Sequence, residues 1–119
     1  MEAEAYYYHR DSGWNPVVTV CLLKDDGGNI GKGVAVCSSL ESPCKRRGRQ
    51  IARGRAMQAL TRKDTVLPIM RHDALWVLND TDFYTPVNGR HKAMFNPSLT
   101  DFEKKILNMN EKEKTPNVF

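Results

Sequence analysis

Apolar side chains along this chain follow two kinds of pattern. From Val17 to Leu23 every position except Thr19 is apolar, a short branched run that predicts a strand covered on both faces. Asp25-Asp26-Gly27-Gly28-Asn29 then gives a turn signal, because Gly adopts positive φ without a Cβ penalty. Ile30–Cys37 follows as a second strand and completes a β-hairpin. Its glycines, Gly31 and Gly33, mark either a bulge or a surface on which another element packs closely. Both strands carry apolar residues on both faces. One face is therefore expected to meet a helix and the other the Tyr6-Tyr7-Tyr8 segment, an extra strand.

The second pattern is helical. Ser42-Pro43 offers an N-cap and a proline at the first helical position, predicting a long helix that runs to about Thr61. At about 100° per residue, Gly48, Ala52, Ala56 and Ala59 share one side, a face of small side chains suited to lying close on a sheet. Arg46, Arg47, Arg49, Gln50, Arg53 and Met57 share the broad outer side. Leu60 stands at the margin, where a C-terminal helix would cover it. That last helix is expected from Leu99 to about Asn110, opened by a capping box at Ser98–Asp101, with Leu99, Phe102, Ile106 and Met109 as its apolar stripe. Between the two helices, Ala74–Leu78 reads as a short strand and Asn79–Asn96 as an irregular loop with room for one short element. The fold class that results is α+β: a small antiparallel sheet of three to four strands, one long basic helix packed on it, and a C-terminal helix. Residues 1–110 are expected to form a single compact domain, with residues 111–119 a frayed tail.

Composition changes this picture only slightly. Of 119 residues, 40% are hydrophobic and 27% charged, ordinary for a soluble fold. No apolar run is long enough to span a bilayer, and the acidic start Met1–Ala5 is unlike a secretory signal. A cytoplasmic protein with no membrane partner is the expectation. Cys21, Cys37 and Cys44 lack zinc-finger spacing, and their odd number argues against a complete disulfide framework. They read as structural thiols, partly buried.

Charge changes the picture more. The net charge is +4, but it is unevenly spread. Lys45, Arg46, Arg47, Arg49, Arg53, Arg55, Arg62 and Lys63 stand together without one acid, while acids outnumber bases in the rest of the chain. An ordinary exposed helix gains from acid–base pairs four residues apart; this one has only like charges. Arg46 and Arg47 also sit in the first turn, where positive charge opposes the helix dipole. A bound anion would offset both costs. Arg55 falls beside Gly48 and Ile51, toward the small-residue side. It is either a scaffold residue paired with an acid such as Asp73, Asp80 or Asp82, or part of a binding edge.

Tests for chemistry come out against an enzyme. Gly27–Gly33 lacks the order of a phosphate loop and leads into a strand rather than a helix. His9, His72 and His91 are isolated in sequence, and Asp25-Asp26 and Asp80/Asp82 are explained by turns. No cofactor or metal is expected. Trp14, between Gly13 and Asn15-Pro16, is the best candidate for an exposed aromatic.

Over Val17–Leu60, the hairpin, the break and the run "RGRQIARGRAMQAL" resemble the strand-strand-helix core of small phage or mobile-element accessory proteins. The resemblance implies either binding to nucleic acid or blocking of a host protein, including a host defence complex. It assigns no residue a role. The expected function is non-catalytic nucleic-acid binding, to DNA or RNA, through Arg46, Arg47, Arg49 and Arg53. Arg55, Arg62 and Lys63 would extend the contact, and Trp14 would favour unpaired bases. The alternative is an inhibitor or adaptor that docks the same helix on an acidic protein surface. Homo-oligomerisation is compatible with both.

Overall fold

The computed structural model describes residues 1–37, 44–70 and 91–109. In chain order it has strands β1 (Ala3–Arg10), β2 (Pro16–Lys24) and β3 (Ile30–Val36), helix α1 (Lys45–Arg62), strands β4 (Val66–Pro68) and β5 (His91–Phe95), and helix α2 (Asp101–Met109). The fold is α+β. Its antiparallel sheet has five strands rather than three or four, in the order β1-β2-β3-β5-β4. The expected strand at Ala74–Leu78 and the tail at 111–119 lie outside the described residues.

The hairpin turn between β2 and β3 is built as its sequence implies. Asp25 Oδ1 accepts from the backbone N–H groups of Gly27 and Asn29, and Gly28 takes φ +85°. The Tyr6-Tyr7-Tyr8 segment is indeed a strand, but it does not cover a face of the hairpin. It pairs edge to edge with β2, Tyr7 opposite Val20, because extended backbone at a sheet edge needs ladder partners. The two faces are covered by the helices instead. With side chains alternating along each strand, Cys21, Leu23, Gly31 and Gly33 point toward α1, whereas Ala3, Ala5 and Leu22 meet Leu107 of α2. β2 lies between β1 and β3 and under both helices, so Val17–Leu23 is buried throughout.

Helix α1 approaches the sheet on its small-residue side, with Ala52, Ala56 and Ala59 fully buried. Gly31 and Gly33 leave the β2–β3 register unbroken and so mark close approach, not a bulge. A Cβ at Gly33 would run into the Ala52 carbonyl oxygen, and one at Gly31 would meet the Ala56 carbonyl and lie 2.8 Å from Leu60 Cγ. Leu60 is buried in this layer with Leu23 and Phe95 nearby. Its cover is therefore not α2, which lies on the opposite face. Met57 also packs against this cluster instead of facing outward.

Three boundaries differ from the sequence reading. The helix starts at Lys45 with Cys44 as its cap residue, and no side chain caps it; Ser42 and Pro43 are outside the described residues. Within Asn79–Asn96, read as an irregular loop with room for one short element, His91–Phe95 forms β5, pairing Ala93 with Gly33. The capping box of α2 lies two residues later than expected. Thr100 Oγ1 accepts from the Glu103 N–H, and Glu103 Oε1 accepts from the Thr100 N–H, both at 3.1 Å. This register buries Glu103 and Leu107 and leaves Phe102 and Met109 exposed.

Leu99 and Ile106 of the expected stripe do pack against the Ala3/Ala5/Leu22/Leu107 cluster, and the outward turn of Phe102 and Met109 has a cause in the sheet. Lys32 of β3 points to the α2 side, and its ammonium lies 2.8 Å from Glu103. Tyr7 donates its hydroxyl hydrogen to the same carboxylate at 2.5 Å. Burial works against ionisation of Glu103, but the bonds from Lys32 and Tyr7 outweigh it and hold its pKa below the ordinary range. A buried lysine requires a buried acid, and this fixes which face of α2 turns inward.

Candidate nucleic-acid interface

The basic side chains of α1 divide into three groups. Along the side facing β1, Lys45, Arg49 and Arg53 recur at helical spacing above the strand's Tyr8, Tyr6 and Glu4, which recur at strand spacing. Lys45 Nζ stands 5.0 Å from the Tyr8 ring centroid. Arg49 Nε donates to the Tyr8 hydroxyl at 2.7 Å, and its guanidinium lies 5.5 Å from the Tyr6 ring centroid. The Tyr8 contact raises the already high Arg49 pKa. Arg53 Nε pairs with Glu4 at 3.2 Å. Glu4 in turn accepts from the Tyr6 hydroxyl.

Toward the other side, Arg55 is half-buried and donates to the Val34 carbonyl at 2.7 Å. It therefore helps hold the helix against β3; the acids proposed for it lie outside the described residues. Arg62 is 3.9 Å from Asp64.

Arg46, Arg47 and Lys63 are exposed. Arg47 lines a shallow cleft with Cys44 and Gly48, opposite Pro16 and Val36. Lys63 closes the helix in the left-handed conformation at φ 55°, its N–H donating to the Ala59 carbonyl.

The eight cations are thus not one uniform outer face. Lys45, Arg47, Arg49, Arg53, Arg55 and Arg62 each have a neighbour within the protein. The Arg53 and Arg62 pairs are solvent-exposed, however, and such pairs contribute only about 0–1 kcal/mol. A phosphate can take over these guanidinium groups at small cost.

Trp14 stands beside this arrangement. It is 74% exposed, at the tip of the turn between β1 and β2, and its φ is +69°. The turn is drawn together by Asp11, whose carboxylate accepts from the Asn15 backbone and side chain, bonds that lower the Asp11 pKa. The β1–β2 register shifts between His9 and Arg10. Arg10 lies 5.4 Å from the Tyr8 ring centroid and 5.1 Å from that of Trp14. It also donates to the Trp14 carbonyl at 3.2 Å.

Tyr8, Arg10 and Lys45 were not singled out as site residues in the sequence. The signal that would have found them is the alternation Tyr6/Tyr8/Arg10 on one strand face, read against the spacing Lys45/Arg49/Arg53 on one helix face.

The thiols are separate from this surface in character. All three are free: Cys21 is buried, Cys37 half-buried and Cys44 exposed, so Cys44 departs from the expected burial. Desolvation pushes the Cys21 thiol up to about 12. Among the described residues no group of three or more His, Cys, Asp or Glu side chains is placed to hold a metal, and no helix is long and apolar enough to cross a membrane.

Comparison with protein-family models, curated proteins and solved structures finds no match to this chain. The functional reading accordingly rests on the protein's own geometry.

Proposed function

We propose that the protein is a non-catalytic nucleic-acid-binding accessory protein whose contact surface is the N-terminal half of α1 and the adjoining β1–β2 turn. The observation that carries this is the placement of Arg46 and Arg47, exposed in a helical first turn that contains no acid. Positive charge there opposes the helix dipole, and a phosphate at this end would offset that cost while pairing with the exposed guanidinium groups. Arg10, Lys45, Arg49 and Arg53 continue the positive surface toward β1, while Arg62 and Lys63 extend it at the far end. Arg55 supports the helix from beneath.

The test is a titration of the pure protein against labelled DNA and RNA at two salt concentrations, repeated with Arg46→Glu/Arg47→Glu. Contact with about three or four phosphates gives a log–log salt slope of about −3 to −4. The double variant should lose affinity and flatten that slope by about 2. Glutamate in a first turn favours the helix, so loss of binding would not reflect unfolding. Absence of binding near about 50 mM salt, where phosphate contacts are strong, would overturn the reading. So would an unchanged double variant. Capture of a stoichiometric acidic protein, lost in the same variant, would put the inhibitor or adaptor reading in its place.

A further inference from the structure

We propose that Tyr8, Arg10 and Trp14 form a stacking platform for an unpaired base, so that the nucleic acid held by α1 is single-stranded. This rests on the reading above and specifies its ligand.

The side chains are layered. The Arg10 guanidinium is within cation–π range of Tyr8 and of Trp14, so one cation serves two rings. Its additional bond to the Trp14 carbonyl ties the turn to the strand. Arg10 shares the face of Tyr8 by the two-residue alternation of β1, and the register shift after His9, with its extra residue on β2, leads into the turn that carries Trp14. Lys45 and Arg49 touch Tyr8 from the helix side. The aromatic row is therefore continuous with the first two turns of the basic helix.

Trp14 itself has no packing reason to be a tryptophan. With 74% of its surface exposed, it contributes little to a core. Its positive φ belongs to a conformation in which Gly or Asn is favoured and a bulky residue is an outlier. An indole held there keeps ring surface open to solvent, flanked by positive charge. Unpaired bases offer flat π-faces to such a ring and phosphates to its cations. In a duplex the base faces are consumed by stacking on one another, leaving an exposed ring without a partner.

The experiment compares an unstructured single strand, as DNA and as RNA, with a duplex of the same sequence, for the wild type and for Trp14→Gly. Glycine removes the ring and relieves the positive φ, so the variant should melt no lower than wild type. Wild type should prefer the single strand. Trp14→Gly should weaken single-strand binding by about 5- to 150-fold, the range for losing one base–aromatic stack, with duplex binding and the salt slope unchanged. Equal wild-type affinity for strand and duplex would overturn the proposal, as would full single-strand affinity in Trp14→Gly. In both cases, persistent binding that Arg46→Glu/Arg47→Glu abolishes would leave the nucleic-acid reading standing. Absence of binding to any of the four probes would remove both.

Discussion

The ammonium of Lys32 and the carboxylate of Glu103 lie 2.8 Å apart, with their side chains 8% and 1% exposed. One belongs to the middle of the sheet and the other to the last helix. Removing one partner strands a charge in the interior. Lys32→Met or Glu103→Leu alone should destabilise the protein by about 3–5 kcal/mol, and the double replacement by much less. Denaturant midpoints of the three variants check this.

The same pair sets an acid limit. Because the folded pKa of Glu103 is lowered, its contribution to stability is full above the unfolded value of about 4.3 and is lost as pH falls through the lower folded pKa. Unfolding midpoints measured from pH 6 downward should fall for wild type in that window and vary less with pH for Glu103→Gln.

Two glycines should respond in opposite senses to alanine. At Gly33 the added Cβ collides with the backbone of α1, and a cost of about 3 kcal/mol or more is expected, since neither sheet nor helix can retreat without opening the core. At Gly54, on the exposed side of α1, a Cβ meets nothing within 4 Å. There alanine should stabilise by about 0.5–1 kcal/mol through helix propensity. Thermal melts of both variants, with nucleic-acid binding by Gly54→Ala unchanged, would show it.

Lys63→Gly separates stability from binding. Relief of the left-handed conformation should raise stability by about 1 kcal/mol, while loss of one exposed cation should reduce the salt slope of binding by about 1. A melt and a titration on the same sample read the two effects.

The thiols should differ sharply in reactivity. Cys44 should react first with an aromatic disulfide reagent at pH 8. Cys21 should react only on unfolding, because burial raises its pKa to about 12 and keeps it protonated. Since that pKa is raised, its contribution to stability is present below about 8.5 and declines as pH rises toward the folded value.

Turn chemistry and side-chain size made much of this fold legible. Asp25–Asn29 announces its hairpin, and the Gly/Ala side of α1 matches the glycines beneath it. What escaped depended on partners distant in sequence. His91–Phe95 is a strand because the open edge of β3 is there to be paired, and its five residues carry no strong alternation of their own. The inward face of α2 was legible from hydrophobicity only at Leu99 and Ile106, since its centre turns on an acid meeting a lysine about seventy positions away. The cations were visible as a group, but which of them lean on β1 depends on a helix lying beside an edge strand. Arg10 meets Trp14 because the β1–β2 turn folds the indole back beside the strand. Trp14 was readable because glycine, asparagine and proline surround it.

The pairing of Gly33 with Ala93 joins positions about sixty residues apart, whereas β1, β2, β3 and α1 follow one another along the chain. Closing so long a segment carries an entropic cost before any contact compensates, and non-local pairing of this kind slows folding. The first three strands and the basic helix can therefore assemble early, and the addition of β5 becomes the late step. Until it arrives, β3 has an open ladder edge available to another chain. Crowded refolding is then the condition under which this protein is most exposed to intermolecular strand exchange.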